Sequence, residues 1–360
     1  MKTGITVEVS RRCADPEWDE FLEKTPGACF KQASDWAMFK LKGGWSPIRI
    51  LSKRDGSIVG GVQLLAKRTP ISLKIANIPQ GPVFRSCDPD VLNAVMSRLV
   101  EVARSEKICY LVIEPPPDCI PEKELGRWGF RVNCTVPSES ANYVLDLSQG
   151  SDALLRRMRR TTRNNIRIAE DRGITVREAR ENDIDVFFRL LEATSCRRHF
   201  LIPRESYYQD LWRSLEPGKH IKMFMAEHEG EVLSSLLTIP FGDTVVVINL
   251  VWSGQKKWLR PNELLFWKAI DWSRVSGFRT FSFGGMNLSI AKALIAGSSP
   301  PPSLVNSNTR FILGFGGSIV LVPSRYEYVP IRLLGKLMES SNSILGRYNL
   351  LNTARLVLKF

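Results

Sequence analysis

Histidine is scarce in this chain of 360 residues, with His199, His220 and His228 the only three. G-x-S-x-G, H-E-x-x-H, P-loop and G-x-G-x-x-G sequences are absent too, which speaks against serine and zinc hydrolases, phosphate-loop NTPases and dinucleotide enzymes. His199 follows Arg197 and Arg198, whose charges disfavour an imidazolium, so it reads as a structural residue rather than a general base. The seven cysteines, at 13, 29, 87, 109, 119, 134 and 196, form no C-x-x-C pair, and their number is odd. They read as reduced thiols, not as a zinc site or disulfide framework. Long apolar runs are missing as well. The longest, Val245 to Trp252, has eight residues and contains Asn249, far short of the ~20 that cross a bilayer. The first residues, MKTGITVEV, alternate like a strand and lack a signal peptide's apolar stretch, so the expectation is a cytoplasmic protein.

Acidic charge is short relative to basic. Lys and Arg number 50 against 37 Asp and Glu, a formal net charge of +13 that favours polyanionic partners such as nucleic acid, phosphorylated metabolites or anionic lipid. With 44% hydrophobic and 24% charged residues, the chain has enough apolar material for a packed core, and its length suggests two domains.

An internal repeat supports that division. Ile5 to Thr25 aligns without gaps to Ile174 to Thr194, with seven identities in 21 positions. Asp55-Gly56 before Ser57-Ile58-Val59 and Glu229-Gly230 before Glu231-Val232-Leu233 both read as hairpin turns. A third pair sets Glu101 to Pro115, containing the strand Cys109 to Ile113, against Asp271 to Gly285, with the strand Phe281 to Phe283. The offsets are 169, 174 and 170 residues, as expected for tandem copies of one strand, helix, hairpin, helix, strand unit. That order predicts an α/β architecture with mixed sheets, repeated over residues 1–150 and 151–330, and a ligand cleft where the two meet.

Between the copies, residues 151–173 read as one amphipathic helix. Ser151 stands at its start, Gly173 at its end, and Leu155, Met158, Thr162, Ile166 and Ala169 recur at helical spacing. Arg156, Arg160, Arg163 and Arg167 fall on another face, and Leu154 to Ile168 holds six Arg and no acid. Such a face is either solvated, paired with acids distant in sequence, or laid against RNA phosphates or lipid headgroups. The tail, 331–360, carries five basic residues and one acid among apolar ones, which suits docking on the first domain or lying on a membrane surface. A coenzyme A acetyltransferase would carry glycines in an [RQ]-x-x-G-x-[GA] loop to cradle the pyrophosphate. The nearest counterpart, Gln255 to Arg260, places Trp258 where Gly is needed, which disfavours coenzyme A.

Several short patterns recur in an order that resembles the Fem family of peptidoglycan bridge-forming aminoacyltransferases. These are Gln32-x-x-x-Trp36-x-x-x-Lys40, the Gly81-Pro82 turn, Arg163 to Glu170 followed by Gly173 to Val176, Arg197 to Phe200 with Arg204 to Tyr208, Pro261 to Trp267, and Phe283-Gly284-Gly285. The resemblance implies two tandem acetyltransferase-like (GNAT-type) domains, without the helical arm of some members because the stretch from Tyr208 to Leu236 is too short. It implies transfer of an amino acid from aminoacyl-tRNA to an amine on the stem peptide of a lipid-linked or UDP-linked cell-wall precursor. No covalent enzyme intermediate and no cofactor or metal are needed, and the protein would work in the cytoplasm or at the inner membrane surface. Carried over by motif, Lys40 and Arg204 would grip the precursor's diphosphate and Tyr208 would add a hydroxyl contact, while Arg156, Arg160, Arg163 and Arg167 would meet tRNA or another phosphate. Glu114 stands where the family has an Asp before Pro and would orient the attacking amine or accept its proton. One departure is Ile312, which stands at the position of a family lysine; Arg310, two residues earlier, would share its face about 6–7 Å away if the segment is a strand, and so take that role. An acyl-thioester-dependent N-acyltransferase and a non-catalytic binding relative are the alternatives.

Overall fold

The structure is a computed structural model and describes residues 4–70, 72–117, 120, 122–133, 141–300, 305 and 307–330. The chain forms two compact units that divide at 138/139 and 322/323.

Unit 1 contains β1 (Ile5–Ser10), α1 (Pro16–Glu23), α2 (Ser34–Leu41), β2 (Ser46–Arg54), β3 (Ser57–Arg68), β4 (Lys74–Ile78), β5 (Val83–Phe84), α3 (Pro89–Ser105), β6 (Ile108–Ile113), α4 (Glu122–Arg127) and β7 (Arg131–Val132). Unit 2 runs β8 (Ala141–Asp146), α5 (Ser151–Arg157), α6 (Arg160–Asp171), β9 (Thr175–Glu178), α7 (Ile184–Arg198), α8 (Glu205–Leu215), β10 (Lys222–His228), β11 (Glu231–Phe241), β12 (Thr244–Trp252), α9 (Pro261–Val275), β13 (Thr280–Met286), α10 (Leu288–Ile295), α11 (Ser307–Ile312) and β14 (Ser318–Leu321). The chain then returns to unit 1 as β15 (Tyr326–Tyr328).

The two sheets share one topology. In unit 1 the order is β1-β2-β3-β4-β6-β15-β7, with β5 paired to β3; in unit 2 it is β9-β10-β11-β12-β13-β8-β14. Each begins as an antiparallel meander and then makes one parallel pair, β4 with β6 and β12 with β13. A parallel pair needs a crossover, which α3 and α9 provide. In both hairpins the two turn residues have positive φ, 51° and 79° at Asp55-Gly56 and 52° and 79° at Glu229-Gly230. That is the twist-matched turn the two short sequences foretold.

α3 forms because Asp88 caps it by accepting from the Asp90 N–H, Pro89 fits its first turn, and Val91, Val95, Met96, Leu99, Val102 and Ala103 make one apolar stripe. That stripe packs on the sheet's buried face with Ile50, Val62, Leu64, Ile78 and Leu111. Unit 2 centres on clustered aromatics: Phe266 stacks on Phe283 at 5.6 Å, and Phe281 and Phe315 lie 5.2 Å and 5.5 Å from Phe283.

The unit boundaries differ from the expected 150/151 and 330. β8 pairs with β13 and β14, so it belongs to the second sheet, while β15 hydrogen-bonds β6 and β7 of the first. Each sheet thus completes itself beside its parallel pair with a strand from outside the repeated segment. The tail 331–360 lies outside the described residues. Among the described residues, no helix is long and apolar enough to cross a membrane.

The basic helix is two helices, contrary to the single one expected. Met158 and Arg159 are extended, with ψ of 152° and 145°. Of the expected apolar stripe, Met158, Thr162, Ile166 and Ala169 are buried, but Leu155 is only partly buried and its neighbour Leu154 is the buried residue of α5; Gly173 (φ 76°) ends α6. What the sequence hid is a tertiary competitor for the backbone. The Arg159 N–H donates to the Gly314 carbonyl at 2.9 Å instead of continuing the helix. Glycine is required there for close approach: a Cβ on Gly314 would lie 2.3 Å from Thr162 Oγ1, and one on Gly316 (φ 77°) 2.5 Å from the Arg157 carbonyl oxygen. Gly316→Ala therefore loses stability on the order of 1–3 kcal/mol. Gly56→Asn, at an equally left-handed turn with open space around it, is close to neutral. Urea midpoints at constant slope measure both; equal midpoints for the two variants contradict the packing account.

Candidate active-site residues in the two units

In unit 1 the segment Gln32-x-x-x-Trp36-x-x-x-Lys40 separates into a structural half and an electrostatic half. Gln32 is fully buried in a short helical turn before α2. Its Oε1 accepts from the Gln63 N–H at 2.7 Å, and its Nε2 donates to the carbonyls of Pro79 at 2.8 Å and Gln63 at 3.3 Å. The amide thereby joins β3 to the turn after β4. Gly81 in that turn must lack a side chain, because a Cβ would lie 2.7 Å from the Gln32 carboxamide. The start of α2 is fixed from below: buried Arg49 on β2 donates to Ser34 Oγ at 3.1 Å, and the Ser34 N–H donates to Asp19 at 2.8 Å.

On this support, helical spacing stacks Trp36 and Lys40. Trp36 packs edge-on against Phe30 at 5.2 Å, and Lys40 Nζ sits 5.2 Å from the Trp36 ring centroid and 5.8 Å from that of Phe39. Among the described residues no acid pairs with Lys40. Burial first, then the charges of Lys31 and Lys67, push its pKa down to about 8. Lys67 lies at the end of β3, its Nζ 5.8 Å from the Trp45 ring centroid.

Glu114 follows β6, where its N–H donates to the Ile78 carbonyl at 2.9 Å and its carbonyl accepts from the Gly81 N–H at 3.1 Å. Its carboxylate is engaged by Arg325 Nε at 2.9 Å, from the segment entering β15. Cys29 lies within electrostatic reach of both Lys31 and Glu114, and burial raises its thiol pKa. Lys31 is thus within electrostatic reach of both Lys40 and Cys29, Lys67 of Lys40, and Glu114 of Cys29. Lys31, Lys67 and Arg325 were not singled out in the sequence. Lys31 adjoins Gln32 and was within reach of closer reading, whereas Arg325 comes from the far end of the chain and carries no local signal.

In unit 2, Arg204 occupies the N-cap position of α8 and is exposed, with no ion pair among the described residues. Tyr208 is buried, its ring edge-on to Phe187 at 5.2 Å and to Tyr207 at 5.3 Å. Burial, with Tyr207 beside it, raises the Tyr208 phenol pKa, which keeps it a neutral hydroxyl. α8 ends at Leu215 and β10 begins at Lys222, so the short connection expected without a helical arm is what is found.

The four arginines expected to meet phosphate do not share one role. Arg163 points back across the helix break, where its Nη1 donates to the carbonyls of Met158 at 2.5 Å, Arg156 at 3.1 Å and Leu155 at 3.3 Å. It closes the end of α5. Arg156, Arg160 and Arg167 are exposed and form no ion pair among the described residues. The partner of Asn165 was also not foreseen: its Nδ2 donates at 2.8 Å to Glu263 at the start of α9, whose carboxyl pKa burial raises.

The segment holding Arg310 and Ile312 is helical, so the strand on which a shared face depended is not formed. Two residues apart on a helix are about 200° apart in direction. Accordingly Ile312 is buried in the aromatic core while Arg310 is exposed, and the geometric argument for Arg310 replacing a lysine at 312 is lost.

A meander running into one parallel pair, built twice on separate sheets, is a tandem acetyltransferase-like architecture. Residues 156–289 match the acetyltransferase (GNAT) domain family, and residues 13–122 match the FemAB family. The family matches thus place a FemAB-like segment in the first unit and an acetyltransferase-like segment in the second. Its fold is similar to that of FemX, with a TM-score of 0.81 at 19% identity, covering 92% of this chain and 100% of that one. It is similar also to L-PGS from Bacillus licheniformis, with a TM-score of 0.53 at 16% identity over 90% of this chain and 95% of that one. In sequence it is 27% identical over 223 residues to a lipid II:glycine glycyltransferase of Staphylococcus aureus strain MRSA252, a match covering 59% of this chain and 53% of that protein. The chain spans about half the length of the curated relatives it matches.

A charged lysine confined between two others costs stability. Below pH 8 Lys40 is protonated in both folded and unfolded chains, and the folded state carries the desolvation and repulsion in full. Between about pH 8 and the ordinary lysine value of 10.5 the folded chain has released a proton that the unfolded chain still holds, so stability rises with pH across that window. Lys40→Met is accordingly more stable than the wild type at pH 7, by roughly 1–3 kcal/mol after discounting for partial solvent exposure, and the difference shrinks by pH 10.5. Thermal or urea unfolding from pH 6.5 to 10.5 measures this; a difference independent of pH contradicts it.

Proposed function

We propose that this chain is an aminoacyltransferase that moves an amino acid from an aminoacyl-tRNA to an amine on the stem peptide of a lipid-linked or UDP-linked peptidoglycan precursor. The observation that carries the reading is Lys40, a half-buried cation stacked on Trp36 with no acid paired to it among the described residues, in a chain whose residues 13–122 match the FemAB family. A site that keeps such a charge unneutralised is suited to an anionic ligand. The precursor's diphosphate is the anion proposed for Lys40 of unit 1; in unit 2, exposed Arg204 and the neutral Tyr208 hydroxyl are proposed in their own right as groups that recognise precursor phosphate. Lys31 and Lys67 add to the field around Lys40. Exposed Arg156, Arg160 and Arg167 are the proposed contacts to tRNA phosphates.

The chemistry needs positioning more than it needs a nucleophile from the protein. The neutral acceptor amine attacks the ester carbonyl of the aminoacyl-tRNA, a C–N bond forms, and the C–O bond to the terminal ribose breaks. The amine's proton leaves with the ribose oxygen as a hydroxyl. Glu114, which pairs with Arg325, is the group proposed to orient the incoming amine. The thioester alternative is disfavoured because Trp258 stands in the loop where a pyrophosphate would need glycine. The protein acts in the cytoplasm or at the inner membrane face in this reading.

Incubation with individual charged tRNAs and either precursor, followed by mass spectrometry of the stem peptide, tests the proposal. It predicts a gain of one amino-acid residue with at least one tRNA and a rate that falls steeply with salt. Lys40→Ala and Arg204→Ala each lower kcat/KM roughly ten- to hundredfold, the loss of one charged hydrogen bond. No mass gain with any aminoacyl-tRNA, or stabilisation by coenzyme A, would contradict it.

A further inference from the structure

The connection from β12 to α9, residues 253–260, carries three basic side chains and one aromatic, Trp258. Two Arg–Trp stacks frame it. The Arg172 guanidinium lies 5.1 Å from the Trp258 ring centroid and donates to the Trp258 carbonyl. The Arg197 guanidinium lies 5.2 Å from the Trp252 ring centroid and donates to the carbonyls of Trp252 and, at 2.8 Å, Ser253. Trp258 is 58% exposed, yet its neighbour Leu259 is fully buried and anchors the turn that displays it. On either side of that turn, Lys256 (φ 46°) and Arg260 (φ 57°) hold left-handed backbone, a costly conformation for residues with a Cβ.

The charge around the loop is one-sided. Lys256 is neutralised by Glu231 at 2.8 Å, and Glu263, near Arg260, is pushed by burial towards its neutral form. Among the described residues, no acid forms an ion pair with Arg172, Arg197, Lys257 or Arg260. An outward indole with a guanidinium on one face and free cations beside it has the composition of a single-stranded nucleic-acid contact, in which rings stack bases and cations meet phosphates. A membrane surface fits less well. Trp258 is the one large apolar side chain the loop exposes, and Leu259 turns inward, leaving no apolar face to insert.

The geometry points to this loop as a stacking platform for the unpaired 3′ end of an RNA. A base lies on the Trp258 ring face that Arg172 leaves open, and Lys257 and Arg260 meet the flanking phosphates. The assignment rests on the transferase reading, whose donor ends in an unpaired RNA strand, and it names the surface that receives that strand.

The test is fluorescence anisotropy of the full chain with two labelled RNA hairpins, one blunt and one with a four-nucleotide 3′ overhang ending in CCA. Trp258→Ala weakens overhang binding roughly five- to 150-fold, the range for loss of one base stack. It changes blunt-hairpin binding less than twofold and leaves the salt slope intact, while Trp258→Phe keeps most of the affinity. Lys257→Ala or Arg260→Ala lowers the salt slope by about one. Thermal unfolding of each variant shows that the fold is retained, as exposure of Trp258 leads one to expect. The platform is overturned if Trp258→Ala binds the overhang RNA like the wild type, or loses both RNAs equally. It is overturned also if the wild type binds neither RNA, including the case in which Trp258 is needed only for vesicles of phosphatidylglycerol. The transfer assay separates the two claims. Amino-acid transfer with unaltered RNA binding by Trp258→Ala leaves the transferase and removes the platform, whereas Trp258-dependent overhang binding without transfer does the reverse.

Discussion

Positive charge held at fixed positions without neighbouring acids is the constraint that organises this protein. Lys40 shows it most clearly, since an aromatic floor and two other lysines surround an ammonium that, among the described residues, no carboxylate relieves. Such an arrangement lowers the stability of the empty protein and is retained only because the surrounding structure fixes it. Arg49 and Asp19 lock the start of α2 through Ser34, and Gln32 ties the turn before α2 to two strands. Rigid support beneath an unsatisfied charge is the usual economy of a binding site, in which the ligand supplies the missing interaction.

Duplication supplied two versions of one sheet, and the connection after the fourth meander strand was put to different use in each. In unit 1 the turn after β4 is filled by the Gln32 amide and keeps Gly81 because nothing larger fits. In unit 2 the connection after β12 displays Trp258 and is flanked by arginines. The topology is conserved between the units while the chemistry carried at matching places is not, which is how one fold hosts separate binding tasks.

Much of the architecture was legible before the structure. The hairpin turns, the strands at Cys109 to Ile113 and Phe281 to Phe283, and the apolar stripe of the basic segment are local patterns, and local patterns are read from neighbouring residues. What escaped was set at long range. The helix break at Met158 and Arg159 depends on a carbonyl at Gly314, and Arg163 spends its guanidinium on the end of α5 rather than facing outward. The swap of β8 and β15 shifted the unit boundaries, because strand pairing and not the repeat decides where a sheet ends. Among the candidate site residues, motif alone singles out Lys40 and Glu114, whereas Arg325 beside Glu114 and the two lysines near Lys40 come together only in the folded chain. The shared-face argument for Arg310 is lost for a simpler reason: the segment is a helix, in which a residue two positions away points to the opposite side.

The central claim is that Lys40 waits in a depressed ionisation state for a diphosphate, and proton uptake on binding tests it most directly. Calorimetric titration of the UDP-linked stem-peptide precursor into the protein, in buffers of different ionisation enthalpy between pH 8 and 8.5, measures the protons that accompany binding. A phosphate next to Lys40 raises its pKa from about 8, so the wild type should take up a sizeable fraction of a proton and Lys40→Met should take up none at that site. Equal proton uptake in the two proteins would show that the diphosphate does not meet this lysine.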